Sequence, residues 1–214
     1  NMRKDLSKKV FLTMANYNKA ISDYLSENQS ISLPDFSFEK SSNLRYGENP
    51  HQKATLLTFG GLKKRNIANA EIIQGKEMSY NNIVDADAAW ECVREFSDPA
   101  CVIVKHANPC GVASADSLLE AYDLAFQTDP TSAFGGIIAL NGTLDTKTAK
   151  QINDRQFVEV IIATGYEEGS LEVLSAKKNI RVLRVDLNQD NPYPGIIKKV
   201  SGGILLQDDD SFSV

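Results

Sequence analysis

Residues 158–185 read VEVIIATGYEEGSLEVLSAKKNIRVLRV and decide the fold class of the chain. The segments 158–163 and 180–185 are short runs of mostly β-branched and other apolar residues, and residues 167–178 between them have a helical pattern. A strand, a helix and a second strand in this order are typical of an α/β unit with parallel strands. Because both runs are almost continuously apolar, the strands are predicted to be buried on both faces of the sheet.

The same alternation extends upstream of these residues. Two more apolar runs predict strands over 101–104 and 136–140, and helical patterns lie over 82–96, 116–127 and 145–153. We expect Asn81 or Asn82 to cap the first of these helices and Asp98-Pro99 to stop it. The chain is therefore predicted to be an α/β protein with a mainly parallel sheet.

The first forty residues have a different pattern. Apolar side chains spaced three or four residues apart predict an amphipathic helix over residues 3–25. The residues in that stripe are Leu6, Val10, Met14, Tyr17, Ile21 and Tyr24. Residues 26–42 are rich in serine and contain Pro34, which predicts a linker with an extended segment over 35–38. We place a domain boundary near residue 40, with domains over 1–40 and 41–214.

Composition excludes several function classes. The chain has 214 residues with 23 Lys and Arg against 28 Asp and Glu, and its net charge of −5 argues against nucleic-acid binding or binding to an anionic membrane. No apolar run approaches the roughly 20 residues that span a bilayer, and the N-terminus lacks the apolar core of a signal peptide. Three cysteines, an odd number in a chain too long to need disulfides, predict reduced thiols and a cytoplasmic location.

The segment 104–111, VKHANPCG, is the first candidate site. It follows a buried strand and precedes a predicted helix, the place where open α/β sheets bind ligands. Lys105 offers a cation and His106 a side chain of a type that titrates near neutrality, which suits removal of a proton from an amine and stabilisation of an oxyanion. His106 must leave strand geometry if the two side chains are to converge. The alternative is a surface lysine beside a structural histidine.

The same segment is similar to part of a zinc-deaminase site, which uses His-x-Glu and Pro-Cys-x-x-Cys elements. Here Ala107-Asn108 stands in place of x-Glu, and Ala113 occupies the position of the second cysteine. We therefore expect no metal, since a zinc site needs at least three protein ligands. Cys110 is either a nucleophile served by His106 or a partly buried structural thiol.

Two turns supply further candidates for ligand binding. Arg45 and Tyr46, in the polar segment 44–52, can bind a phosphate or carboxylate and a ring. Phe134 and Gly135 can offer an apolar wall and close backbone approach, at a turn that leads into a buried strand. The alternatives are an ordinary polar loop and a tight turn with a core phenylalanine.

A lone carboxylate, Glu159, interrupts the apolar run 158–163. An unpaired carboxylate is costly to bury, so Glu159 either binds an amine or hydroxyl of a substrate or lies in an edge strand. The chain has neither a Walker motif nor a Gly-x-Gly-x-x-Gly fingerprint, which makes the two standard modes of nucleotide-cofactor binding improbable.

Five blocks, in this order, resemble the formyltransferase part of the bifunctional 5-aminoimidazole-4-carboxamide ribonucleotide (AICAR) formyltransferase/IMP cyclohydrolase family. The blocks are LRYGENPHQ (44–52), QGKEMSYNN (74–82), KHANPCG (105–111), residues 129–136 and residues 157–163. The resemblance implies a cytidine-deaminase-like three-layer sandwich without zinc. It also implies that residues 3–25 form a helical linker, the last helix of the cyclohydrolase domain.

The resemblance further implies transfer of the formyl group of 10-formyltetrahydrofolate to the 5-amino group of AICAR, with the parent chain also closing the ring to IMP. Lys105 and His106 would be the catalytic residues, and no metal would be required. The implied substrate contacts are Arg45 and Tyr46 for the phosphate and ring, Asn82 with the Phe134-Gly135 backbone for the carboxamide region, and Glu159 as an acidic contact.

By the same resemblance, the polypeptide would be an internal piece of a longer chain. Residues 41–214 would be the first half of the formyltransferase domain, completed by a C-terminal half and by a second subunit of a homodimer. Two other functions remain open at this point. One is a catalytically silent module that binds a purine nucleotide, and the other is a zinc hydrolase of the deaminase kind.

Overall fold

The computed structural model of the protein describes residues 2–25, 38–60, 62–188 and 195–209. Two compact units span Asn1–Phe36 and Ser37–Val214. In the first unit, α1 (Met2–Leu25) confirms the helix predicted over 3–25. The predicted linker over 26–42 lies mostly outside the described residues, and its last residues belong to the first strand of the second unit.

The second unit alternates strands and helices, as the sequence pattern predicts. Its strands are β1 (Phe38–Leu44), β2 (Ala54–Phe59), β3 (Glu71–Gln74), β4 (Ala100–Lys105), β5 (Asn108–Ser114), β6 (Gly136–Leu140), β7 (Thr143–Leu144), β8 (Val158–Ala163), β9 (Gly165–Tyr166), β10 (Arg181–Arg184), β11 (Ile196–Val200) and β12 (Gly203–Gln207). Its helices are α2 (Tyr80–Val93), α3 (Leu118–Thr128), α4 (Pro130–Ala133), α5 (Thr146–Arg155) and α6 (Glu168–Ser175), and a 3-10 turn covers Ile67–Asn69.

A six-stranded sheet in the order β3-β10-β8-β6-β4-β5 forms the centre of this unit. The expectation of a mainly parallel sheet is wrong. Within this sheet only β6, β8 and β10 pair in parallel, whereas β4 pairs antiparallel with both β6 and β5, and β3 pairs antiparallel with β10. The reason is that β4 turns back directly into β5, so the chain reaches β6 from the opposite end of the sheet. The fold class is α/β with a mixed sheet.

Strands β4, β6 and β8 are buried on both faces, as predicted. Their side chains alternate between two cores, so that Cys101 and Ile103 of β4 pack on one face while Val102 and Val104 pack on the other. The first core is covered by α3, α5 and α6. The second is covered by α2, whose Trp90 is completely buried. Helices therefore lie on both faces of the sheet.

Helix α2 begins earlier than the sequence predicts. Its cap is Ser79, not Asn81 or Asn82, because the Ser79 hydroxyl accepts the Asn82 N–H at 3.1 Å. Asn82 is the third helical residue, and its Oδ1 accepts the Ser79 N–H in return, which completes a capping box. The helix ends at Val93, short of the predicted stop at 98–99.

The segment 104–111 contains the end of β4, a turn and the start of β5, so an unpredicted strand lies between the turn and α3, the helix predicted over 116–127. β4 and β5 form a hairpin in which Lys105 pairs with Asn108, and the pairing shifts register beyond Val104. Strand β5 lies at the edge of the sheet, where a proline such as Pro109 is tolerated. Gly111 lets α3 pack closely on this strand, since a Cβ there would lie 2.0 Å from the Ala125 carbonyl oxygen.

Candidate active site

The candidate residues lie where β4 ends and the three parallel strands begin. Lys105 is the last residue of β4, and Glu159 and Arg181 stand at the starts of β8 and β10. The site therefore lies at the carboxyl end of β4, as expected, but at the amino ends of the parallel strands. The N-terminus of α2 lies at the same edge, because Asp85 in its second turn contacts Ala107. The helix dipole brings positive potential to this edge.

His106 has left strand geometry, as convergence with Lys105 requires. His106 and Ala107 are the two central residues of the β4–β5 turn, and both have positive φ, 54° and 57°. Two successive residues in this region are the signature of a type I′ hairpin turn. Asn108 Nδ2 donates a hydrogen bond to the His106 carbonyl at 2.7 Å, and the His106 side chain is exposed.

Lys105 reaches the turn that contains Phe134 and Gly135. Its Nζ donates a hydrogen bond to the Phe134 carbonyl at 2.8 Å. Phe134 as a whole residue is 60% exposed, and its ring packs against Phe157 with 5.7 Å between ring centroids. Gly135, at φ 76°, donates its N–H to the Phe157 carbonyl. The structure thus brings together the predicted residues Lys105, Phe134 and Gly135.

A second group of predicted residues lines a cavity of about 550 Å³, which we call the polar cleft. Its walls contain the predicted residues Arg45, Tyr46, Asn82 and Glu159, together with Leu44, Lys76, Glu77, Met78, Ser79 and Arg181. The guanidinium of Arg45 lies 5.7 Å from the centroid of the Tyr46 ring. Lys105, His106, Phe134 and Gly135 belong to the neighbouring turns and are not part of these walls.

Asn82 and Glu159 form one polar unit in the polar cleft. Asn82 is only 6% exposed and donates from Nδ2 to Glu159 Oε2 at 2.8 Å, while its Oδ1 accepts from the Ser79 hydroxyl at 2.9 Å. Since β8 lies between β10 and β6, Glu159 is not in an edge strand. Its half-buried carboxylate is instead paired with Asn82 at the start of a central strand.

A model of the AICARFT/IMPCHase bienzyme family matches residues 1–214. The chain belongs to this family. Its members are bifunctional AICAR formyltransferase/IMP cyclohydrolase proteins of purine biosynthesis. The match confirms the resemblance that the five sequence blocks indicate.

Two cationic residues of the polar cleft, Lys76 and Arg181, were not among the residues predicted from the sequence. Lys76 lies in the block 74–82, next to Gly75, which has φ 94° and marks a turn. Arg181 interrupts the apolar run of β10 at its first residue, and its Nε donates to the Glu77 carbonyl. The signal in the sequence is a charged residue at the start of a buried strand, which Arg181 shares with Glu159.

The thiols of the chain are free, and all three lie within the described range 62–188. Burial raises the pKa of the Cys110 thiol, whose Sγ donates to the Ile103 carbonyl at 3.5 Å. These contacts favour the structural thiol over the nucleophile, because a nucleophilic cysteine needs a lowered pKa.

Among the described residues, no group of three or more His, Cys, Asp or Glu side chains is arranged to hold a metal ion.

Lys105 also acts on Asp129, which caps α4. Hydrogen bonds from Ser132 chiefly, and the Lys105 ammonium in addition, hold the pKa of Asp129 below its usual value. The Lys105 ammonium therefore donates to the Phe134 carbonyl and also stabilises the charged form of Asp129. Within the described ranges, no helix has the length and apolar character that crossing a membrane requires.

Proposed function

We propose that the chain binds AICAR in the polar cleft and transfers to it the formyl group of 10-formyltetrahydrofolate. The observation that carries the proposal is the gathering of Arg45, Tyr46, Asn82 and Glu159, from three separate segments, around one cavity. The cavity has a volume typical of small-molecule sites. Membership of the family supplies the substrate class.

The charges around the polar cleft suit a ribonucleotide monophosphate. Arg45, Lys76 and Arg181 bring cationic side chains to its walls, and the N-terminus of α2 adds a favourable dipole for an anion. Glu159 offers the carboxylate that would accept hydrogen bonds from ribose hydroxyls or an amine. Tyr46 would pack against the ring, and the Phe134-Gly135 backbone would face the carboxamide region. Asn82 would act on the ligand through the orientation of Glu159.

The turn at the end of β4 would carry the proton transfers. His106 takes a proton from the 5-amino group as the amine nitrogen bonds to the formyl carbon. Lys105, oriented by the Phe134 carbonyl, stabilises the oxyanion that develops on the formyl oxygen. The bond from the formyl carbon to N10 of the folate then breaks, and N10 receives a proton equivalent to the one that His106 took from the amine, which returns His106 to its starting state. None of these steps uses a metal.

The remaining assignments belong to the same proposal. Residues 41–214 would form the first half of a cytidine-deaminase-like formyltransferase domain, and residues 1–40 would connect it to the cyclohydrolase domain that closes the ring to IMP. A C-terminal half and the second subunit of a homodimer would complete the folate side. The exposed His106 and Phe134 side chains support this arrangement, since a folate bound there would need further walls. The three free thiols are compatible with a cytoplasmic enzyme.

The test is formyl transfer by the full-length protein, with AICAR and 10-formyltetrahydrofolate as substrates. Lys105→Ala should lower kcat by about a hundredfold or more, because it removes an oxyanion donor. The matched control is Lys150→Ala, at an exposed lysine of α5, which should leave transfer unchanged. AICAR binding without any transfer would contradict the proposal and favour a silent nucleotide-binding module.

A further inference from the structure

The turn between β4 and β5 holds two residues in an unfavourable backbone conformation. His106 and Ala107 have φ values of 54° and 57°, although both carry a Cβ. The left-handed region costs such residues about 1–2 kcal/mol each, which is why type I′ turns favour Asn-Gly. The conformation persists only when neighbouring groups hold it, and it occurs here beside Lys105, which the proposed function makes catalytic.

Asp85 contacts this turn from outside the β4–β5 hairpin, whereas the hydrogen bond from Asn108 to the His106 carbonyl is made within the hairpin. Asp85 Oδ1 accepts the backbone N–H of Ala107 at 2.8 Å. A hydrogen bond to a carboxylate is roughly twice as strong as one between neutral groups. Asp85 lies in the second turn of α2 and is half-buried, so the packed helix determines where its carboxylate stands. The bond therefore fastens the left-handed turn to a rigid element.

Helix α2 also carries the contact to the polar cleft. Asn82 lies three residues before Asp85, so both side chains extend from the same side of the helix. Asn82 binds Glu159 in the polar cleft, and Asp85 binds the turn that contains His106. The same turn of α2 therefore contacts Glu159, a proposed substrate contact, and the turn that contains His106, the proposed proton acceptor.

We propose that Asp85 is a positioning residue for formyl transfer. It holds the His106–Ala107 turn in its left-handed form, so that the His106 imidazole and the Lys105 ammonium serve the same bound substrate. Asp85 acts through the backbone N–H of Ala107 and touches no reacting atom. This inference rests on the proposed function, since it assigns Asp85 a part in that reaction.

The first arm of the test is steady-state formyl transfer by the full-length protein. Asp85→Ala should lower kcat by about tenfold or more, because small displacements of a catalytic group are costly, and should change the KM for AICAR by less than about threefold. Asp85→Asn keeps an acceptor oxygen and should recover most of the activity. The matched control is Asp87→Ala, at an aspartate of the same helix that the turn does not contact, and it should keep wild-type kcat.

The second arm relieves the strain directly. Glycine adopts positive φ without penalty. Adding Ala107→Gly to the Asp85→Ala variant should therefore bring kcat back to at least about half of the wild-type value. Hydrogen exchange of the Ala107 amide supplies a readout independent of activity. It should accelerate by about tenfold or more in Asp85→Ala and stay unchanged in Asp87→Ala.

The outcomes separate this inference from the proposed function. Wild-type kcat in Asp85→Ala, or a loss that neither Asp85→Asn nor Ala107→Gly restores, would overturn the positioning role while formyl transfer by the wild-type protein stands. Absence of transfer in the wild-type protein would overturn the proposed function and the positioning role with it. In that case the exchange data would still decide whether Asp85 holds the turn.

Discussion

Asn82 Nδ2 lies 2.8 Å from Glu159 Oε2, and this hydrogen bond joins the first turn of α2 to the start of β8. The same amide completes the capping box with Ser79, so one side chain both begins the helix and orients a carboxylate in the polar cleft. Local folding is therefore coupled at Asn82 to the proposed AICAR site.

Asn82→Asp is expected to weaken AICAR binding by about tenfold or more. The aspartate keeps the oxygen that accepts from Ser79, but it replaces a donor with a negative charge facing Glu159, and like charges at contact are strongly unfavourable. Isothermal titration calorimetry of the full-length protein would measure the change in Kd. The matched control is Asn81→Asp, at the exposed neighbour, which should stay within about threefold of wild type. A larger effect at Asn81 than at Asn82 would contradict the assignment.

Ser79→Ala is expected to lower the free energy of unfolding by about 1 kcal/mol, because it removes the N-cap hydroxyl of α2. Urea denaturation of the purified protein would measure the loss. Ser79→Asn, which retains a capping oxygen, should recover most of it. If Ser79→Ala is as stable as wild type, the capping box contributes nothing to the helix.

Gly111→Ala is expected to destabilise the fold by about 3 kcal/mol or more, because the new methyl group would stand 2.0 Å from the Ala125 carbonyl oxygen and push α3 off β5. The comparison variant is Gly203→Ala, where the nearest atom to an added Cβ lies at 3.8 Å. That change should stay within about 0.5 kcal/mol of wild type. Equal stability of the two variants in urea denaturation would mean that α3 does not pack on β5 as closely as described.

Asp87 should make stability depend on pH. Desolvation of the Asp87 carboxyl chiefly, and the negative charge of Glu91 one turn further along α2 in addition, raise the pKa of Asp87 from 3.8 to about 6. The folded state therefore holds a proton that the unfolded state has lost between about pH 4 and pH 6, so this group makes stability fall as pH rises through that window. Asp87→Asn should raise the Tm at pH 7.5 and have little effect at pH 4. An identical Tm difference at both values would contradict the raised pKa.

Four buried strands and most helices could be predicted from the sequence because buried runs and helical periodicity are local patterns. Residues 136–140 and 158–163 form strands with the predicted bounds. The direction of β4 could not be predicted, because an apolar run has no feature that distinguishes a parallel from an antiparallel neighbour. The cap of α2 was misplaced because Ser79 and Asn82 cap reciprocally, and the pattern alone favoured the asparagines.

The candidate site was predictable to the extent that its residues occur in recognisable blocks. Arg45, Tyr46, Asn82 and Glu159 do line one cavity. Asp85 was not recognised as a contact of the turn, because its role depends on positive φ at two residues that carry a Cβ, which no local pattern predicts. Its acidic character at the start of a helix has an ordinary explanation in the helix dipole.

In the proposed mechanism, the turn after β4 presents His106 as the proton acceptor for an amine bound in the polar cleft. The most direct measurement is formyl transfer by full-length His106→Ala, with and without added imidazole, beside Asp87→Ala as control. We expect a loss in kcat of about two orders of magnitude or more, partial recovery with imidazole, and AICAR binding within about threefold of wild type. Wild-type turnover by His106→Ala would contradict this mechanism.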